Sequence, residues 1–403
     1  MIDAADTRKI VRLAARGDGV TDDGRFVALA APGDRVRFEG ERAVIEPGPN
    51  HAAPPCQHFP ECGGCQMQHV ADDAYTRWMG ERIGHALGQA GVTIGELCPA
   101  HLSPPRSRRR AVFRAVRRGR AVMLGFHVEG THRVLDLREC WVLRPELFAL
   151  LAPLRPLLAT LLRDGEGGGV SATLTDTGID LMLSNVAAEG VVALGTLADF
   201  ASAHDVARLS VETAGGVETI AQARASAVRM GGVLVEVPPA PFLQATREGE
   251  AALVSAVLGA CEGAATVADL FCGLGTFALP LAAAGARVTA VDAAGPAIAA
   301  LARAGAGRLE TGHRDLFRRP LAAAELAGFD AVVFDPPRAG ARAQVAEIAR
   351  SGVRRVVAVS CNPATFARDA AALVEGGYRL ARLWPVGQFR WSSHVELVAE
   401  FTR

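Results

Sequence analysis

The stretch DLFCGLGTF at residues 269–277 follows a short apolar run and opens an alanine-rich segment with helical spacing. In such a strand–turn–helix unit, glycines let the backbone approach a ligand at the N-terminus of the helix. Around this turn, from about Phe242 to the C-terminus, short apolar runs alternate with alanine-rich segments. This alternation is typical of βαβ units, so the sequence predicts an α/β fold with a parallel sheet.

An acidic residue ends the next predicted strand. Asp292 stands where a carboxylate accepts hydrogen bonds from ribose hydroxyls in nucleoside-binding folds. NAD-dependent enzymes and methyltransferases both fit these features. The glycine pattern G-x-G-x-F lacks the third glycine of the dinucleotide fingerprint, which favours a methyltransferase. Six strands are predicted in this region, at residues 266–271, 287–292, 330–335, 354–360, 379–384 and 395–401.

Two later strands end in polar motifs, DPPR at residues 335–338 and SCNP at residues 360–363. In an open α/β sheet the carboxyl ends of the strands line the ligand crevice. We therefore expect Asp335 and Cys361 to converge on one cleft with Phe271 and Asp292. The alternative interpretation is that Asp-Pro-Pro forms an ordinary strand-to-helix turn and that Cys361 is a small buried apolar residue.

A cysteine at this position suits methylation of carbon 5 of a pyrimidine. A thiolate that adds to carbon 6 makes carbon 5 nucleophilic, and a base must later remove the proton from carbon 5. Glu396 is the candidate base, and Asn362 with the start of its helix is expected to favour the Cys361 thiolate. Enzymes that methylate exocyclic amines usually have an aromatic residue after Asp-Pro-Pro, and RNA cytosine-5 enzymes commonly have a cysteine there. Arg338 occupies that position, which favours uridine.

Taken together, the motifs resemble those of the bacterial uracil-5 RNA methyltransferases that modify ribosomal or transfer RNA. The resemblance spans nearly the whole chain and is closest to the ribosomal branch, which carries an N-terminal TRAM domain and an iron–sulfur cluster. It implies a class I S-adenosylmethionine methyltransferase with a doubly wound, seven-stranded sheet. The motifs that carry it are Cys56-x5-Cys62-Gly63-Gly64-Cys65, residues 269–277, residues 335–340, residues 360–363 and His394-Val395-Glu396.

The same resemblance implies three domains and a set of site residues. Residues 1–50 would form a TRAM-like (OB-like) small β-barrel that binds RNA, residues 51–240 a central α+β iron–sulfur domain, and residues 241–403 the Rossmann-like catalytic domain. Cys361 would be the nucleophile and Glu396 the base. The residues implied to contact S-adenosylmethionine are Gln244, Phe271, Gly273, Thr276, Asp292, Asp315 and Asp335.

Several positions depart from the family pattern. Asp292 stands where glutamate is more usual, and Thr276 and Asp315 stand where asparagine is expected. Gly387 and Arg390 replace the aspartate and proline that relatives often carry before the final glutamate. These exchanges bear on the individual cofactor contacts and on the geometry of the last loop.

Eight cysteines in a chain with no export signal favour thiols, metal ligands or catalysis over a disulfide framework. Cys56, Cys62 and Cys65 lie in one short loop, with Cys140 as the best fourth ligand and Cys98 as its rival. Four thiolates suit either zinc or an iron–sulfur cluster. A zinc ribbon normally shows two close cysteine pairs, and the family resemblance implies a 4Fe-4S cluster.

The formal net charge is zero, so RNA binding must come from local clustering of basic residues. Eight arginines between Arg106 and Arg120 form the densest basic run, which either binds RNA phosphates or is a solvated face. The substrate is expected to be single-stranded or looped RNA, ribosomal or transfer, because the target base must be splayed out for a thiol to reach carbon 6.

The chain is expected to be a cytoplasmic monomer without a membrane segment. Residues 1–6 are acidic and lack a signal-peptide layout, and glycines and Pro280 interrupt the longest uncharged run, residues 270–286. Two other classes of function remain open at this point. One is a non-catalytic RNA-binding or assembly factor that keeps the methyltransferase fold, and the other is an iron–sulfur electron-transfer protein.

Overall fold

The structure is a computed structural model that describes residues 7–403. The acidic stretch at residues 1–6, on which the expectation about a signal peptide rests, lies outside the described residues. Residues 7–46 form a small antiparallel sheet in the order β3-β2-β1-β4-β5, packed on Ile10, Val27, Ala30 and Val36. Its strands are β1 (Thr7–Leu13), β2 (Gly19–Thr21), β3 (Phe26–Val27), β4 (Arg35–Glu39) and β5 (Arg42–Glu46).

The cysteine loop follows, and after it come α1 (Asp72–Gln89), β6 (Glu96–Leu97) and β7 (His101–Leu102). Trp78, Ile83 and Leu87 on α1 are buried at helical spacing, and they belong to the same apolar core as Leu397 and Phe401 near the C-terminus. Both β6 and β7 pair with the C-terminal sheet. This part of the predicted central domain therefore packs on the predicted catalytic domain. The domain boundaries themselves stay a prediction.

A seven-stranded sheet in the order β10-β9-β8-β11-β12-β13-β14 forms the middle of the chain. Only β12 and β13 are parallel, because α4 connects them as a crossover. The strands are β8 (Arg110–Arg118), β9 (Ala121–His127), β10 (Val134–Asp136), β11 (Gly167–Leu174), β12 (Ile179–Ser184), β13 (Val206–Thr213) and β14 (Gly216–Gln222). The helices are α2 (Pro145–Ala149), α3 (Leu151–Leu161) and α4 (Val191–Ala203), and a hairpin of β15 (Ala227–Met230) and β16 (Val233–Glu236) follows.

The C-terminal sheet has the order β19-β18-β17-β20-β21-β23-β22, extended by β6 and β7. The strands from β17 to β21 are parallel, and β23 runs antiparallel between β21 and β22. The strands are β17 (Thr266–Leu270), β18 (Arg287–Asp292), β19 (Leu309–His313), β20 (Ala331–Phe334), β21 (Arg355–Ser360), β22 (Arg379–Gly387) and β23 (Glu396–Thr402). The helices are α5 (Arg247–Ala260), α6 (Ala278–Ala283), α7 (Gly295–Ala304), α8 (Ala323–Leu326), α9 (Arg342–Ser351) and α10 (Pro363–Glu375).

All six predicted C-terminal strands are present, with ends that differ from the predicted ones by at most three residues. The prediction missed β19, whose sequence LETGH contains one apolar residue. This strand lies at the edge of the sheet, where fewer side chains need burial. Among residues 7–403, no helix has both the length and the apolar composition that crossing a bilayer requires.

Candidate active site

Cys361 and Glu396 meet at the end of two neighbouring antiparallel strands. The ladder between β21 and β23 ends with Ser360 opposite Leu397, so Cys361 and Glu396 are the next pair of residues along the two strands. Both side chains line one cavity of about 770 Å³. A cavity of this size falls in the range that accepts a small organic ligand.

The Cys361 thiol lies in an environment that favours its protonated form. Burial, together with the nearby Glu396 and Asp335, raises its pKa to about 11, and Arg338 opposes this shift. Asn362 caps α10 by accepting a hydrogen bond from the Ala364 amide at 3.1 Å, and it donates to the Arg338 carbonyl. The charged group that favours the thiolate is therefore Arg338, and Asn362 holds the loop that carries it.

Glu396 is almost fully buried at the start of β23. Burial, together with the nearby Asp335, raises the pKa of its carboxyl to about 8. A hydrogen bond from Gln388 and the charge of Arg110 both lower the pKa of Glu396. The carboxyl can therefore exchange a proton near neutral pH, which is the property that a general base requires.

The glycine-rich turn after β17 packs against Asp292. The Asp292 carboxylate accepts hydrogen bonds from the amides of Gly273 at 2.9 Å and Ala294 at 2.7 Å. Phe271 adopts a positive φ of 59°, and its ring centroid lies 5.4 Å from that of Phe317. A positive φ is uncommon for a residue with a side chain.

Asp335, which follows β20, supplies a second carboxylate to this end of the sheet. Burial raises its pKa to about 7, and its carboxylate accepts a hydrogen bond from Nε2 of Gln244 at 3.4 Å. Asp315 accepts hydrogen bonds from the Phe317 and Arg318 amides, and Thr276 is partly buried in the turn before α6. Clustered carboxylates with spare acceptor capacity fit a ligand that carries hydroxyl groups and a positive charge.

The cysteine loop borders the same cavity from the opposite side. The thiols of Cys56, Cys62, Cys65 and Cys140 line it, together with Cys361 and Glu396. Hydrogen bonds from the Gln57 amide to Glu139 and from the Arg138 amide to His58 join the loop to the segment that carries Cys140. Cys98 does not line this cavity, and its amide instead donates to the Leu383 carbonyl. The structure thus brings Cys140, and not Cys98, to the other three cysteines.

Within residues 7–403, no group of three or more His, Cys, Asp or Glu side chains is arranged to hold a metal ion. The metal site predicted at Cys56, Cys62, Cys65 and Cys140 is therefore not present as a ligand set for a single ion. Burial raises the pKa of the Cys62 thiol to about 11 and of the Cys65 thiol to about 12. The charges of neighbouring cysteines contribute to both shifts, which shows that the thiols lie close to one another.

The basic run divides between the cavity and the protein interior. Arg108 and Arg110 line the cavity, but Arg109 is buried and pairs with Glu250. Arg117 donates to two backbone carbonyls at the end of α3. Arg109 is therefore not available to bind phosphate, because its guanidinium is already paired inside the protein. Arg109 lies just before β8, where its Nε also donates to the Gln244 carbonyl.

Three residues near the site were not identified from the sequence. Phe242 is 67% exposed at the cavity, and the Arg110 guanidinium lies over its ring, 4.3 Å from the ring centroid. Phe317 contacts Phe271, and Gln388 contacts Glu396. The available sequence signal for Phe242 was its place two residues before Gln244. No local pattern identifies Gln388, because its partners Gln244 and Ala245 are more than 140 positions away in sequence.

Comparison with known proteins identifies the family. Residues 308–400 match the family model described as tRNA (Uracil-5-)-methyltransferase. A Zymomonas mobilis protein named uncharacterized RNA methyltransferase is 43% identical, over 98% of this chain and 100% of its own length. The 23S rRNA (uracil(1939)-C(5))-methyltransferase RlmD of Bordetella parapertussis is 33% identical, over 93% of this chain and 88% of its own.

A solved structure shows the same fold. The Pyrococcus abyssi tRNA (uracil-54, C5)-methyltransferase, in complex with S-adenosyl-L-homocysteine, superposes with a TM-score of 0.75 at 23% identity. The match covers 99% of this chain and 100% of the other. The strand order of the C-terminal sheet and these similarities agree with the resemblance seen in the sequence motifs. The chain therefore belongs to the family of S-adenosylmethionine-dependent RNA (uracil-5-)-methyltransferases.

Proposed function

We propose that this protein methylates carbon 5 of a specific uridine in 23S rRNA through a covalent adduct between Cys361 and the uracil ring. The observation that carries the proposal is the strand register that brings Cys361 and Glu396 together in one cavity. The relative named as a 23S rRNA methyltransferase supports the ribosomal substrate, because it aligns with most of the chain.

The two side chains have complementary roles in this chemistry. The Cys361 thiolate bonds to carbon 6, and the electron pair released at carbon 5 takes the methyl group. Bound S-adenosylmethionine supplies that methyl group on a positively charged sulfur. Glu396 then takes the proton from carbon 5, the double bond between carbons 5 and 6 re-forms, and the carbon–sulfur bond breaks to return the Cys361 thiolate.

Residues on the cavity wall would hold the RNA. Three arginines line the cavity, namely Arg108, Arg110 and Arg338. Within residues 7–403, none of the three forms a salt bridge. They would neutralise the backbone phosphates and the oxygen that becomes negative when carbon 6 is attacked. The exposed ring of Phe242 offers a surface for a base that is turned out of its stack.

Methylation assays on two RNA classes test the substrate. Purified protein with labelled S-adenosylmethionine should methylate 23S rRNA from a strain that lacks the protein, and mass mapping should place the label at carbon 5 of a single uridine. Transfer RNA from the same strain should remain unlabelled. Labelled tRNA with unlabelled rRNA would instead assign the protein to transfer RNA.

We further propose that Cys56, Cys62, Cys65 and Cys140 hold a 4Fe-4S cluster. The donor set fits, because four thiols line one cavity. A cluster of four irons binds one thiolate at each iron, so its ligands stand farther apart than those of a single zinc ion, where each bond is about 2.3 Å. The cysteine loop is also joined to the loop between β22 and β23, since the Gln66 and Met67 amides donate hydrogen bonds to the Trp391 carbonyl. A bound cluster would therefore stabilise the loop that leads to Glu396.

Two cysteine variants test the ligand set. Cys140→Ser should lose bound iron and the visible absorbance of the purified protein, because it removes one of the four thiolates. Cys98→Ser is the matched control and should keep both, since Cys98 lies away from the other thiols. Iron and zinc contents measured by elemental analysis separate the alternatives. Stoichiometric zinc without iron in the wild-type protein would contradict the cluster.

A further inference from the structure

Gln388 lies between the two halves of the active site and all its amide atoms are engaged. It follows β22 directly and is 1% exposed. Its Nε2 donates to Oε1 of Gln244 at 2.6 Å and to the Glu396 carboxylate, while its Oε1 accepts from the Ala245 amide at 2.6 Å. Since a backbone amide can only donate, the Ala245 contact fixes which end of the Gln388 side chain faces Glu396.

Gln244 extends this connection to the methyl-donor side of the site. Its Nε2 lies 3.4 Å from Oδ2 of Asp335, the carboxylate that follows β20. A continuous chain therefore runs from Glu396 through Gln388 and Gln244 to Asp335. The two carboxylates at its ends belong to different functions, since one is the predicted base and the other is a predicted methyl-donor contact.

The backbone of Gln244 and Ala245, the segment that Gln388 contacts, is held by a buried arginine. Arg109 donates from its amide to the Ala245 carbonyl at 2.9 Å and from Nε to the Gln244 carbonyl at 3.0 Å, and its guanidinium pairs with Glu250. Gly249 leaves space on the other side, because a Cβ atom there would lie 2.5 Å from Cβ of Gln388. The surroundings thus fix the position of the Gln388 side chain without contacting Glu396 themselves.

We propose that Gln388 is a positioning residue that aims the Glu396 carboxylate at the proton on carbon 5 and connects it to Asp335. This inference rests on the proposed function, in which Glu396 is the base. A donated hydrogen bond stabilises the ionised form of a carboxyl group, and only the ionised form can take a proton. The charged or titratable groups that face Glu396 are Asp335, Cys361 and Arg110, and of these only Arg110 favours the ionised form.

The variant Gln388→Met keeps the size of the side chain and removes its donors. The first methyl transfer should slow less than adduct breakdown, because Gln388 bonds the predicted base directly but reaches Asp335, a predicted methyl-donor contact, only through Gln244. Breakdown of the methylated adduct should slow by about 10- to 100-fold, since a hydrogen bond to a charged group contributes about 1.5–3 kcal/mol. Rapid-quench assays with the RNA that accepts methyl groups from the wild-type protein, followed by denaturing gels, measure the two steps separately.

The pH dependence gives a second measurement. Adduct breakdown requires ionised Glu396 and therefore rises as the pH increases through the pKa of this group. Loss of the Gln388 donor raises that pKa, so the rising part of the profile should move to higher pH in Gln388→Met. A role limited to folding would lower the amount of active protein without moving the profile.

Two further variants extend the test, one as a control and one that displaces Gln388 from outside. Gln344→Met removes another buried glutamine, which bonds the amide and carbonyl of Leu321 far from the site, and it should leave adduct breakdown unchanged. Gly249→Ala should slow adduct breakdown as Gln388→Met does, because the added methyl group displaces Gln388.

The outcomes separate this inference from the proposed function. If Glu396→Gln accumulates adduct but Gln388→Met breaks it down at the wild-type rate and pH, the role of Gln388 is wrong and the mechanism stands. If Glu396→Gln turns over normally without adduct, the assignment of Glu396 as the base fails, and the inference about Gln388 fails with it.

Discussion

Cys361→Ala is expected to abolish methyl transfer to RNA, with a loss of more than about 10⁴-fold, as removal of an essential nucleophile can cause. Carbon 5 of uracil becomes nucleophilic only after carbon 6 has been attacked, and Cys361 is the thiol opposite Glu396 in the strand register. Transfer of labelled methyl groups from S-adenosylmethionine to unmodified RNA measures the loss. The variant should also form no covalent complex with RNA.

The control for this variant is Cys261→Ala. Cys261 is buried at the end of α5 and does not line the cavity, so its replacement should preserve methyl transfer. Equilibrium binding of S-adenosylmethionine to Cys361→Ala should remain close to wild type, which excludes unfolding as the cause of inactivity. Wild-type turnover by Cys361→Ala would show that the reaction does not pass through this thiol.

The C-terminal fold was predictable because buried parallel strands appear in the sequence as short apolar runs. Residues 287–292 and 355–360 are examples, and the sequence alone located the ends from which Asp292 and Cys361 project. Strand β19 was not predictable, because an edge position relaxes the need for apolar side chains. The packing of α1 on the catalytic sheet was also missed, since a helix pattern shows which face is buried but not its partner.

The site was predictable only where function falls on single residues at strand ends. Gln388 and Gln244 are 144 positions apart, so no local spacing reveals that they share a hydrogen bond. Arg109 shows the opposite error, because it belongs to the basic run in sequence but pairs with Glu250 inside the protein. Composition identified a basic run, and only the contacts in the folded protein separate Arg109 from the arginines at the cavity.

Glu396→Gln should trap the methylated adduct between the protein and RNA. The new amide keeps the size of the side chain and can still accept the hydrogen bond from Gln388, so the local structure should persist. It cannot take the proton from carbon 5, and loss of a general base typically costs about 10²- to 10⁴-fold in rate. Multiple turnover should therefore fall by this factor, while labelled RNA remains bound to the protein on denaturing gels.

The pH profile distinguishes a lost base from a disturbed site. Burial raises the pKa of Glu396 to about 8, so adduct breakdown in the wild-type protein should increase as the pH rises through that range. In Glu396→Gln the residual breakdown should not depend on pH in the same range, because the titrating group is absent. The double variant with Cys361→Ala should form no adduct at all. A profile that still rises near pH 8 in Glu396→Gln would place the base elsewhere.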